Sequence, residues 1–191
     1  MNVLQNISFT DVIDVTTLKD IQDKLTKIVH FSTITVDIHG IPVCEENNFT
    51  PFCNLIRSSP EGLSNCISCD CQAGFLAMKD REAKVYNCHV GLIDCAAPII
   101  VNDYHLGTVL GGQVLIKGEK TRDSIDILGI SDKYNIPLSK LKEVVKHIPI
   151  VERNYLHNCV EFYTFLASNI AQMGIHRLTQ EKLLKENEEK V

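Results

Sequence analysis

Residues 65–74 read Asn-Cys-Ile-Ser-Cys-Asp-Cys-Gln-Ala-Gly and place Cys66, Cys69 and Cys71 within six positions. On a helix Cys66 and Cys69 stand at i and i+3 and share a face. Cys71 lies about 200° round from Cys69 and about 140° from Cys66 at 3.6 residues per turn, so it turns away. Cys53, on a short helix just upstream, and Cys88, downstream, are the thiols that can converge on the pair. Four thiolates from Cys53, Cys66, Cys69 and Cys88 suit tetrahedral zinc or an iron–sulfur cluster. One Cys-x2-Cys is present, and the second such pair of a zinc ribbon is absent. A thiol-lined small-molecule pocket and plain packing of cysteine as a small hydrophobe stand beside the metal reading.

The second chemical cluster is Tyr86-Asn87-Cys88-His89. Read as strand, adjacent residues face opposite sides, so Tyr86 goes with Cys88 and Asn87 with His89. Only one of Cys88 and His89 then faces the cysteine helix, which a thiol–imidazole nucleophile pair does not allow. Cys66 with His89 needs the fold to bring them together. His89 reads as a ligand, a hydrogen-bond donor or, first among these, a satisfied core histidine. No serine elbow, catalytic carboxylate pair or dinucleotide fingerprint occurs, and Gly118-Glu-Lys-Thr121 is not a phosphate loop. The expectation is a non-enzyme.

Further along, Asp94 shares parity with Leu92 and Ala96, and Cys95 with Ile93 and Ala97. One of these faces is a pocket, and a buried Asp94 needs Arg57 or backbone amides. Gly107 and Gly111 share a face and leave room for a ligand or a helix. Gln113 lies on that face; turned inward, its amide can bond a hydroxyl ligand. Phe52 and Tyr86 read as pocket wall.

The elements that must position these groups follow from pattern. Residues 16–31 show helical periodicity with Thr16 or Thr17 as cap. Residues 32–38 alternate as a strand, His39-Gly40 turns, and Ile41–Glu45 pairs back. Thr50-Pro51 and Ser59-Pro60 open two helices, the second reaching about Lys79. Three strand-like runs follow at 83–90, 92–101 and 104–116, the last two joined at Asn102-Asp103. Beyond Gly118 two short helices lead to a long one from about Pro149. The order makes an α+β fold: a PAS-like five-stranded antiparallel sheet with a cysteine-bearing helical flap, an N-terminal helix and a long C-terminal helix. The domain runs over residues 1–175, and 176–191 form a charged helix, read as a frayed end or the start of a signalling coiled coil.

The composition fits one globular domain: 191 residues, 45% hydrophobic, 23% charged, formal net charge −5. No Lys/Arg block grips a nucleic-acid backbone. The first residues carry no evident leader, and the longest apolar run, Cys95–Val101, is far short of a membrane span. A cytoplasmic location is expected, with the eight cysteines reduced or metal-bound.

Two blocks, Asn48–Asp70 and Tyr86–Leu115, resemble the PocR sensory domain, and the likeness runs from about residue 10 to about 170. The matching features are Phe52-Cys53, Gly62 with Cys66, Asp70, Cys88-His89 with Gly91-Leu92, Pro98-Ile99 and Gly111-Gly112-Gln113. The resemblance implies a PAS-like domain of bacterial transcription regulators and histidine kinases that senses small hydrocarbon derivatives such as diols. In that family the cysteines have been suggested to bind metal. Cys71 and Cys95 depart from the pattern, as a polar or basic residue and Phe are common there; extra thiols near the pocket could widen it. The expected function is a ligand-sensing input domain, homodimeric through the C-terminal helix. A thiol-based redox or metal sensor and, behind it, a thiol enzyme are the other classes.

Overall fold

The computed structural model describes residues 8–188, so the expectations for the first residues and for the end of the charged tail fall partly outside it. A single turn, α1 (Phe9–Val12), precedes α2 (Val15–Val29). Asp14, not a threonine, caps α2: its carboxylate accepts the Thr17 N–H at 2.9 Å. Asp is among the strongest N-caps, and it starts the helix ahead of both threonines.

Strand β1 (Ser32–Asp37) follows, and the chain turns back as expected, but Ile41–Glu45 does not form a full strand. It touches β1 through isolated bridges, Val36 with Pro42 and Thr33 with Asn47, which are out of register with one another. Pro42 has no N–H to extend the ladder. Besides backbone bonds to β1, the arm is held by the buried Gln22 of α2, whose Nε2 donates to the Glu45 carbonyl and whose Oε1 accepts from Thr35 and Cys44.

Helices α3 (Pro51–Arg57) and α4 (Pro60–Asp80) form the flap. Both begin as the sequence indicates: Thr50 accepts the Cys53 N–H, Ser59 accepts the Gly62 N–H, and proline opens each helix. Strands β2 (Lys84–Asn87), β3 (Ile93–Val101) and β4 (Tyr104–Ile116) make an antiparallel meander. The β3–β4 hairpin turns on Asn102 and Asp103, both left-handed at φ 47° and 71°, which matches the twist of the strands. Then come α5 (Ile127–Tyr134), α6 (Leu138–Val144), β5 (Ile150–Val151) and α7 (Arg153–Glu188).

The sheet order is β1-β4-β3-β2, antiparallel throughout, with β5 added parallel to the end of β4 as the fifth strand. β5 lies where the long helix was expected to begin; its Pro149 and Val151 carbonyls accept the N–H groups of Leu115 and Lys117. The fold is therefore the expected α+β arrangement.

Each face of the sheet has its own core. Cys95, Ala97, Ile99 and Val109 pack with Leu156, Cys159, Tyr163 and Ile170 of α7 and with α1 and α2. Ala96, Leu110, Ile34 and Val36 pack against Ala73 and Ala77 of α4. A third cluster, around Phe52, Ile56, Tyr134 and Leu141, fastens α3 to α5 and α6. Fully burying one such aliphatic side chain stabilises by about 1.5–3 kcal/mol. The flap and the long helix thus sit on opposite faces of the same two central strands.

Candidate functional site

Between the flap and the sheet lies a cavity of about 40 Å³, and Cys53, Cys66, Cys69 and Cys88 all line it. The four thiols come from three elements: α3, the inner face of α4, and the segment after β2. All are free. Among the described residues, no three His, Cys, Asp or Glu side chains gather closely enough to hold a metal ion. Burial pushes the Cys66 thiol up to about 12, against the pull of Arg57. Burial first, then the Asp94 charge, pushes Cys53 and Cys88 well up too. In this arrangement they are protonated and form a soft apolar wall. Cys71 turns away as the helical geometry requires, its Sγ 3.4 Å from the Ile38 carbonyl. Cys95 is not beside the pocket: it lies on the α7 face, so it does not widen the cavity.

The Asp94 parity is the cavity parity. Its Oδ1 accepts the Gln113 backbone N–H at 2.6 Å. Of the two partners foreseen for it, the backbone amide is the hydrogen-bonding one; Arg57 acts on it only through space. The contact depends on a β-bulge. Asp94 pairs with Gly112 and Ile93 with Val114, so Gln113 is the extra residue, at φ 61°. Gly112 sits at φ 141°, and a Cβ there would stand 2.6 Å from the Asp94 carboxylate. Glycine is what lets the carboxylate come down onto the strand.

The bulge also re-aims Gln113. Its Oε1 accepts the Thr50 N–H at 2.8 Å, at the cap of α3. That bond fixes the amide orientation and leaves Nε2 as a donor without a partner among the described residues. The side chain is 7% exposed and lines the cavity. Gln113 and Asp94, an amide and a carboxyl, therefore both line the cavity. Burial, opposed by the Gln113 N–H, pushes Asp94 up to about 7.

Arg57 is committed to Asp70, at 2.8 Å, with both side chains largely buried. The guanidinium also stacks 5.0 Å from the centre of the Phe49 ring. Tyr86 donates to the other Asp70 oxygen at 3.4 Å, behind the cavity wall. Burial raises Asp70 to about 6 although Arg57 pulls it down. Phe52 is fully buried in the α3–α5–α6 cluster and does not line the cavity.

Strand parity fails for Cys88 and His89 because β2 stops at Asn87. The chain then turns, with the Cys88 N–H on the Leu92 carbonyl and the Gly91 N–H on the Cys88 carbonyl. Both residues consequently reach the cavity. His89 is clasped by the flap pair: its Nε2 lies 3.1 Å from Cys66 Sγ, and its backbone N–H faces the Cys69 thiol. Its Nδ1 lies 2.8 Å from the Tyr134 hydroxyl, which also accepts from Asn65 Nδ2 at 3.2 Å. The Tyr134 hydroxyl thus links the Asn65 amide to the His89 ring. Burial and then Lys133 and Arg57 lower the His89 pKa. Imidazole and thiol are both neutral, which is not the ion pair of an activated nucleophile. Asn65 and Tyr134 were not foreseen, and Thr50 was read only as a helix cap; the contacts of all three with the site are tertiary ones that no local spacing announces.

A central antiparallel sheet, a capped helical flap closing a polar cavity on one face and a long helix on the other define a PAS-like sensory domain. The chain matches the family described as the sensory domain found in PocR over residues 11–175, and it belongs to that family. A stretch of 112 residues is 33% identical to the regulatory protein PocR of Salmonella typhimurium (strain LT2), covering 59% of this chain and 36% of that protein. The chain thus corresponds to little more than a third of that relative. No solved structure matches.

Proposed function

We propose that this chain is the cytoplasmic ligand-sensing input domain of a bacterial signal-transduction or transcription regulator. The ligand is a small hydroxylated hydrocarbon derivative such as a diol. The observation that carries this is that one cavity is lined by both Asp94 and Gln113, whose Oε1 is held by the Thr50 N–H. A hydroxyl donates to the carboxylate and accepts from the amide. His89 and the thiols supply the remaining wall. A 40 Å³ cavity admits only a few heavy atoms, since one water needs about 10–15 Å³ of such space. A larger ligand must move the flap, and preference for the moved state is what shifts the population.

The signal leaves through α7. The bulge touches Asp94 on one side, and Gly111 beside it packs on Tyr163 of α7. Tyr155, Phe162, Met173 and Leu184 are exposed and fall on one side of α7 at 3.6 residues per turn. That stripe supports a homodimer through the C-terminal helix. DNA contact, if the whole protein makes it, belongs to another segment. Among the described residues no helix is long and apolar enough to cross a membrane.

The test is thermal melting of the purified protein with small alcohols, diols and ketones. Ligand at a hundredfold its Kd stabilises by about 2.7 kcal/mol, a rise of several degrees in Tm. Gln113→Met gives up the acceptor of the buried Thr50 N–H, so it should melt lower without ligand, and it should lose that rise. No rise across the panel sinks the reading.

A second reading rests on Cys53, Cys66, Cys69 and Cys88 sharing one cavity. With flap closure the four thiols hold zinc or an iron–sulfur cluster, or act as a redox detector. Elemental analysis and a visible spectrum of protein purified without oxygen decide it. Metal-free protein with unreactive thiols removes it.

A further inference from the structure

His89 and Val90 line two spaces at once. One is the buried cavity; the other is a surface cleft of about 450 Å³ between the β2–β3 turn and α5, reaching Lys120, Ser124 and Lys133. His89 and Val90 thus stand between the two. The His89 ring is tied at both nitrogens, to Cys66 on the flap and to Tyr134 on α5. It also stands edge-on to the Tyr134 ring, with centres 5.8 Å apart. Tyr134 is itself buried and anchored to the flap through Asn65.

We propose that the cleft is the mouth of the sensing cavity, with the His89 ring as its door and Tyr134 as the positioning residue that holds the door shut. A solute passes when the Tyr134–His89 hydrogen bond breaks and the ring swings toward the cleft, where there is open volume. The Cys66 contact breaks with it, so opening the mouth also loosens the flap. Lys120 and Lys133 flank the opening and Arg57 lies on the cavity. Asp126 also lines the cleft, and Asp70 and Asp94 the cavity, so the path carries both signs of charge. What passes rests on the proposed sensing function, but the passage itself does not.

The thiols make the passage measurable without knowing the ligand. Purified protein is treated with iodoacetamide, a small neutral alkylating agent, and labelling is followed residue by residue with tandem mass spectrometry. Cys66 and Cys53 report the cavity. Cys95 and Cys159, buried on the far face of the sheet, report general opening. Tyr134→Phe keeps the ring packing and removes the hydroxyl. It should raise the Cys66 and Cys53 labelling rates about fivefold, the size of one neutral hydrogen bond, with Cys95 and Cys159 unchanged. Asn65→Ala, which leaves both rings in place, should move the same two thiols in the same direction. The proposal is overturned if both variants leave Cys66 at the parent rate, or if the cavity thiols rise only in step with Cys95 and Cys159. A sensor that fails to respond to diols leaves this result standing, so the two failures are distinct.

Discussion

A Cβ placed on Gly111 would stand 2.3 Å from the Tyr163 ring, so the long helix packs on the central strand through the absence of a side chain. The same phenol reaches past the glycine to Thr33 on β1, 3.0 Å between hydroxyls. Gly111-Gly112-Gln113 is thus a three-residue hinge with a different neighbour for each residue: α7, Asp94, and the cap of α3.

Gly111→Ala should destabilise the domain by about 1–3 kcal/mol, the usual cost of overpacking. Combining it with Tyr163→Leu should cost less than the sum of the two single changes, because the smaller ring site accommodates the methyl. Urea unfolding of the four proteins measures the coupling. Strict additivity would place the strain elsewhere.

Stability should fall as pH rises through neutrality. Asp94 and Asp70 titrate near 7 and 6 in the folded protein, above the ordinary 3.8. The folded state holds those protons more tightly, so their contribution is full below about pH 4 and is lost as pH climbs through 6 and 7. His89, lowered from 6.5, acts in the opposite sense, and only below that value. The window from 6.5 to 8 therefore isolates the carboxylates. Over that window a group titrating near 7 loses less than the about 1.4 kcal/mol that a tenfold difference in proton affinity is worth, and cavity water reduces it further, so a loss of about 0.5–1 kcal/mol is expected. Asp94→Asn still accepts the Gln113 N–H and should flatten the profile. Melting temperature against pH for the two proteins is the measurement.

Arg57→Met should be costly in a pH-dependent way. It strands the Asp70 carboxylate, whose side chain is 13% exposed. Losing one partner of a largely buried ion pair costs about 3–5 kcal/mol. At pH 5 Asp70 can take a proton and the loss should shrink; at pH 8 it should be full. An equal loss at both would mean that Arg57 acts by packing on Phe49 rather than by charge.

Much of this was legible in the residues. Capping serine and threonine before proline located α3 and α4, and helical angles separated Cys71 from Cys66 and Cys69. Alternation along β3 separated Asp94 from Cys95. What could not be read is where alternation stops. The bulge at Gln113 and the early end of β2 each break the period of two, and both put a side chain into the cavity that a regular strand would have sent elsewhere. The Gly-Gly before Gln113 was the visible trace of the first. Nothing local marks Tyr134, whose role exists only once α5 has folded back against the β2–β3 turn.

The exposed stripe on α7 gives the last prediction. Tyr155 is tied to the Val29 carbonyl and edges onto Phe31, so it belongs partly to the domain body. Phe162 and Met173 have no such attachment and lie 38% and 43% exposed. The core side of the helix, Leu156, Tyr163, Ala167 and Ile170, is a separate face. If the stripe is the dimer seam, Phe162→Glu with Met173→Glu should turn a dimer into a monomer in light scattering after size exclusion. The melting temperature of the monomer's sheet core should move little, because neither residue belongs to the buried cluster on that face. A parent protein that is already monomeric at high concentration would remove the seam, and with it the route by which a shift in α7 is read by a second copy.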